Sequence, residues 1–199
     1  LEAAGEIVGR STTHGESDGR RIVEALLAGR GLEDLSVEEL RVLGQGYNWC
    51  MEHAEAYRAW RLALSRAPDD EGALQDVRAG LLNLWYHSDA YPDRCDELIR
   101  EGAGPAAFWR LEKAEYFVRT ATEERTSEFV WERGDPVARP ELLELAAREI
   151  AAAVAERPDL FGSHPGWVRG WDERFAPLIQ DPRFRHLSAR GLRRGRRAT

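Results

Sequence analysis

The chain has no run of about 18 apolar residues, the length an α-helix needs to cross a bilayer, and this excludes a helical membrane span from the sequence as given. Cysteine is scarce. Cys50 and Cys95 are the only two, each set among apolar neighbours at helical spacing, and they read as buried free thiols of a reducing compartment rather than as a disulfide. Lysine is almost absent: Lys113 stands alone beside 27 arginines, a bias that suggests a GC-rich coding sequence and a bacterial source. There is no phosphate-binding glycine loop between a strand and a helix, no Gly-x-Ser-x-Gly and no His-Glu-x-x-His, which removes the enzyme classes that announce themselves by motif. The N-terminus, Leu1-Glu2-Ala3-Ala4-Gly5, lacks the basic start and apolar core of a secretory signal, and an opening on Leu1 rather than methionine reads as a fragment or a processed chain.

What is present is a globular composition at the charged end, 43% apolar and 32% charged, in a length of 199 residues that needs no metal or disulfide to close a core. The net charge of −7 is unevenly spread. Seven arginines and no acid lie between Arg183 and Arg197, so residues 1–182 hold the other 21 basic residues against all 35 acids, a net −14. The arginine tail could attract nucleic acid through phosphate contacts. It has no interleaved aromatic after Phe184, however, and a solvated tail, or one folded onto its own acidic body, is the preferred reading.

Residues 1–18 are rich in glycine, serine and threonine and read as a disordered segment. A short amphipathic helix is expected from Arg20 to Ala28, with Ile22, Val23, Leu26 and Leu27 on one face and Gly29 and Gly31 ending it. Ser36 with Glu39 three residues on forms a capping box. Behind it Leu40, Leu43, Tyr47 and Cys50 make one helical stripe, and Ala56, Trp60, Ala63 and Leu64 make another from about Ala54 to Arg66. Further helices are expected over 71–86, from Asp89 to about 101, from Pro105 to Arg119 with a continuation toward Trp131, and over 141–156. The stretch from Phe161 to Leu187, with Trp167, Trp171, Phe175, Leu178, Ile179 and Phe184, has the apolar density of a cap over an exposed helix face. Trp60, Trp109 and Trp171 fall in apolar stripes and are expected in the core. Trp85 could line a pocket or wedge two helix pairs apart.

One spacing is specific: Leu40-x2-Leu43-Gly44-x2-Tyr47-x8-Ala56-x3-Trp60-x2-Ala63-x4-Pro68. It resembles the tetratricopeptide repeat, a 34-residue helix–turn–helix in which small residues let two antiparallel helices approach and large ones fill the space beside them. The resemblance covers residues 37–70 at every marker, with Leu40 for Trp and Trp60 for Phe, and extends partially over 71–158. The next helix keeps Leu74, Val77 and Leu81 but has Arg78 where a small residue belongs. Ala146-x3-Ile150-x2-Ala153-x4-Pro158 repeats the second half of the pattern, as though a third helix pair were pushed apart by an insertion around 120–140.

The resemblance implies an all-α fold in which antiparallel helix pairs stack as a short, irregular right-handed superhelix with a helical C-terminal cap. It would occupy 19–187 between a disordered segment (1–18) and a basic disordered tail (188–199). It also implies a concave groove lined by the first helix of each pair, where a protein or peptide partner would dock in the cytoplasm without a cofactor. The groove residues would be Arg41, Gln45, Asn48, Trp49 and Glu52 from the first pair and Asn83 and Tyr86 from the second. The competing expectation for that face is that the helix at 20–28 packs over it. Capture of a C-terminal carboxylate by paired lysines and asparagines, known for one subclass, is not expected, because Asp76 stands where an asparagine would and there is one lysine in total. The alternative is a helical-repeat enzyme or small-molecule-binding subunit of a biosynthetic pathway that uses the groove as a pocket. Its acid–base candidates are Glu52, His53, Glu55, His87 and Asp89. A zinc site of Cys50, His53, His87 and Cys95 would lack a recognised spacing, and core cysteines with surface histidines are the preferred reading.

Overall fold

The structure, a computed structural model, describes residues 15–86, 88–125, 131–133, 139–160, 168, 170–188 and 192. The described residues are overwhelmingly helical: α1 (Gly15–Leu27), α2 (Val37–Trp49), α3 (His53–Arg66), α4 (Glu71–Trp85), α5 (Tyr91–Glu101), α6 (Ala106–Thr122), α7 (Pro140–Glu156), and two short helices, α8 (Trp171–Arg174) and α9 (Ala176–Gln180). The all-α expectation therefore holds. None of these helices is long and apolar enough to cross a membrane. The chain divides into two compact units, the first holding α1 to α4 with Gly102–Gly104, the second α5 to α9.

In the first unit the local signals act as read. Ser36 Oγ accepts the Glu39 amide at 3.2 Å, and the Glu39 carboxylate accepts the Ser36 amide at 2.8 Å, closing the capping box that starts α2. Asp70 does the same work for α4, accepting from the Ala73 amide at 2.7 Å. Between α2 and α3 the chain turns at Met51, whose φ of +61° is the left-handed conformation usually left to glycine. The Glu52 amide reaches back to the Tyr47 carbonyl at 2.9 Å and completes the helix C-cap there.

The helix pair closes on Trp60. A Cβ on Gly44 of α2 would collide with its indole, and one on Gly80 of α4 would lie 3.2 Å from the opposite part of the ring and 2.8 Å from Tyr57. The Trp60 Nε1–H donates to the Arg41 carbonyl at 3.1 Å, so the ring cannot slide away. Gly80 thus lets α4 pack closely on α3. Ile22, Leu26, Leu35, Leu40, Leu43, Ala59 and Ala63 form one buried cluster that joins α1 to α2 and α3. The helix expected from Arg20 begins at Gly15, so the last four residues of the segment read as disordered are helical; residues 1–14 lie outside the described part.

Glu39 is also held by Arg30, Nη1 to Oε1 at 2.7 Å. The Arg30 hydrogen bond and the Ser36 amide lower its pKa from an ordinary 4.5 to about 2. A carboxyl depressed in the folded state adds stability above its unfolded pKa and loses it as the pH falls through the folded one. Thermal unfolding followed from about pH 5 down to pH 2 should therefore fall more steeply for the wild type than for Glu39→Gln. Parallel curves would show that the box and the Arg30 pair contribute nothing.

In the second unit α5, α6 and α7 pack as neighbours running in alternate directions. Lys113 on α6 reaches Asp96 on α5 and Glu149 on α7, while Arg110 reaches Glu156 near the far end of α7. The helix expected to continue toward Trp131 instead stops at Thr122. Glu123–Arg125 pairs antiparallel with Trp131–Arg133, and of the residues at the junction only the β-branched Thr120 and Thr122 disfavour further helix. The sequence separation between α6 and α7 does not part them in space, since the Arg139 side chain donates to the Thr120 carbonyl at 2.7 Å. Trp109 and Trp171 are buried, as is Trp60 in the first unit. In the C-terminal segment Trp171 Nε1 donates to the Leu187 carbonyl at 3.0 Å, and Phe175 and Leu178 are wholly buried; residues 161–167, with Trp167, lie outside the described part.

Candidate functional site

The face read as a groove lies in the first unit, where α2 and α4 run side by side in the same direction. Two cross-links fix their register. Arg41 Nε donates to Asp76 Oδ2 at 2.5 Å, and Asn83 Nδ2 donates to Asn48 Oδ1 at 2.8 Å. Both pairs are separated by 35 residues, so each position of α2 meets the position of α4 one helix pair further on.

The candidate residues do not all share this face. Arg41, Asn48 and Asn83 are brought together there. The Arg41 guanidinium lies over Gly72, where any Cβ would strike it, and also approaches Asp70 at 3.7 Å. It is thus a neutralised cation rather than one held ready for an anion. At Asp76 burial raises the pKa and outweighs the lowering by Arg41. Asn48 Oδ1 also sits 3.0 Å from His53 Nδ1. An amide oxygen can only accept, so the contact is a hydrogen bond in the tautomer that carries its proton on Nδ1. His53, Asn48 and Asn83 form one polar cluster, so His53, an acid–base candidate of the alternative reading, belongs to this face. Gln45 is half-buried on α2, Glu52 is exposed at the start of α3, and Tyr86 caps the end of α4.

Trp49 goes to the other side. It packs on the apolar cluster closed by α1, and a Cβ on Gly19 would come within 3.0 Å of the Trp49 Cβ and the Cys50 sulfur. Cys50 Sγ lies 3.7 Å from the Glu16 carbonyl of α1, and burial pushes its thiol pKa up. The helix expected to cover the groove thus covers the Trp49 side and leaves the Asn48–Asn83 side to α2 and α4. Beyond that cluster Tyr57 and Trp85 meet edge to face, ring centres 5.2 Å apart, with the Arg61 guanidinium over Tyr57.

The second unit contains a charged cluster that the sequence reading missed. Lys113 and Glu112, adjacent on α6, are both buried. Lys113 Nζ lies 2.7 Å from Asp96 and 2.8 Å from Glu149, which also accepts from Arg110 at 3.1 Å. Burial pulls the lysine pKa down, but the bonds to Asp96 and Glu149 outweigh it and raise it, so the ammonium stays charged. Glu112 lies 3.3 Å from Arg174 and 3.5 Å from the Tyr91 hydroxyl, and Arg174 Nε donates to Glu115 at 2.9 Å. The signal was available: the one lysine of the chain sits inside an apolar helix. Its partners lie 17 and 36 positions away and could not be read from spacing.

Both cysteines are free, and Cys95 is fully buried with its pKa driven well above the ordinary thiol range by that burial. Among the described residues no group of three His, Cys, Asp or Glu side chains could hold a metal ion; His87, one of the residues considered for zinc and for acid–base chemistry, lies outside them. Glu52, Glu55 and Asp89 are exposed. No family model matches the chain, and neither the curated proteins nor the solved structures contain a match to it.

Proposed function

We propose that the chain is a tetratricopeptide-like interaction module of a bacterial cytoplasm that docks a peptide or helix of a partner protein on the face shared by α2 and α4. The observation that carries the reading is the constant offset of 35 residues between these helices, close to the 34-residue period of that repeat. A stacked, parallel pair of first helices is the element from which a right-handed superhelix with a groove is built. The face offers Gln45, Asn48, His53 and Asn83 beside the Tyr57–Trp85 pair. Amides orient a peptide main chain while aromatics supply contact area. Arg41 and Trp49 are tied into the fold by Asp76 and by α1, and they contribute position rather than contact.

The test is a displayed peptide library selected on the purified protein, followed by affinity measurement of a selected sequence on wild type and on Gln45→Ala/Asn83→Ala. Loss of about tenfold or more in affinity with an unchanged unfolding midpoint is expected, since truncated central contacts typically cost over 1 kcal/mol. Failure to enrich any sequence, or equal affinity for the double variant, would sink the reading.

A further inference from the structure

Along α7 and the segment that follows α9 runs an open cleft of about 390 Å³. That volume falls within the roughly 300–1,000 Å³ of small-molecule sites. Its floor is apolar: Ala147 and Ala151, one turn apart on α7, face Phe184 and Leu187. The small side chains of the two alanines leave the hollow, and Leu187 is buried beneath it.

The charges on the rim are not equally engaged. Arg183 is taken up by Asp181, with Nε at 3.2 Å and Nη2 at 2.8 Å from the carboxylate, and its Nη1 lies 3.1 Å from Glu144. The Arg183 bonds hold the Asp181 carboxyl below its ordinary range. Glu144 is thereby paired as well. Arg148 and His186, which also line the cleft, make no side-chain hydrogen bond or ion pair among the described residues. The formal charges at the rim cancel, Arg148 and Arg183 against Glu144 and Asp181, and Arg148 is the cation there without a partner among the described residues, above an apolar floor.

We propose that this cleft binds a small amphipathic carboxylate, an acyl or aryl monoacid. Its apolar body rests on Ala147, Ala151 and Phe184, and its carboxylate is met by the planar fork of Arg148 with His186 as a second donor. An arginine fork matches a carboxylate with two parallel hydrogen bonds, which an uncharged alcohol cannot reproduce. The site is independent of the α2–α4 face, and neither reading depends on the other.

Calorimetric titration with octanoate, and with 1-octanol as the uncharged comparison, tests it. Saturable binding of octanoate is expected, with 1-octanol at least about tenfold weaker and Arg148→Ala weakening octanoate by about tenfold, the worth of a charge-assisted hydrogen bond. Ala151→Trp, which fills the floor from an exposed position and leaves every rim charge in place, should abolish binding by itself. The proposal is overturned if the intact protein shows no saturable octanoate binding, if octanol binds as well, or if both variants bind as the wild type does.

Discussion

Gly44→Ala should destabilise the protein by about 2 kcal/mol, although alanine is the better helix former. In an exposed helix the exchange gains about 1 kcal/mol. Here the new methyl group would enter the space of the Trp60 indole, a ring that is 2% exposed. The ring cannot yield, because its N–H is bonded to the Arg41 carbonyl and its far side rests against Gly80. Overpacking of a closed site costs about 1–3 kcal/mol and at times more, which exceeds the propensity gain. Urea unfolding measures the net effect, and Gly15→Ala, where nothing lies within 4 Å of the new carbon, provides the control with a change within about ±0.5 kcal/mol. Equal stability of Gly44→Ala and wild type would mean that α2 and α3 do not close on Trp60.

Lys113→Met should cost about 2–4 kcal/mol, a little below the roughly 3–5 kcal/mol of breaking a fully buried ion pair, because the Asp96 side chain is 46% exposed. Methionine keeps the apolar stem, so the loss reads the charge. Without the ammonium, Asp96 loses its bond and Glu149 keeps only Arg110. Adding Asp96→Asn should restore part of the loss. A variant within about 0.5 kcal/mol of wild type at neutral pH would place Lys113 in solvent. Because it is the only lysine, amine labelling offers a second check: the folded protein should react at Lys113 far more slowly than the unfolded one.

What could be read from the residues was what acts locally. The Ser36–Glu39 box and the stripes of α2 and α3 depend on neighbours within a few positions, and they place these helices to within a residue or two. What could not be read depends on the register between helices. Arg41 looks like a free cation until Asp76, 35 residues on, is placed beside it. Trp49 looks like a groove residue until Gly19 lets α1 lie against it. The close approach of α4 to Trp60 lies at Gly80, which the spacing did not single out, because only the rotation of α4 about its axis decides which small residue meets that ring. The polar cluster of Lys113 was hidden for the same reason: burial of a charge becomes intelligible only once its partners on α5 and α7 are known.

The parallel stacking of α2 and α4 at one offset is the claim on which the functional reading rests. Its most direct test uses paired cysteines in a Cys50→Ser/Cys95→Ala background, joined by a short bis-maleimide and scored by intact mass. Arg41→Cys with Asp76→Cys, and Asn48→Cys with Asn83→Cys, should both cross-link. Arg41→Cys with Asn83→Cys should not, because seven helical residues set the two ends about 10 Å apart along the axis. Cross-linking of the mismatched pair, with failure of the two matched ones, would contradict the stacking and remove the face that the partner is proposed to occupy.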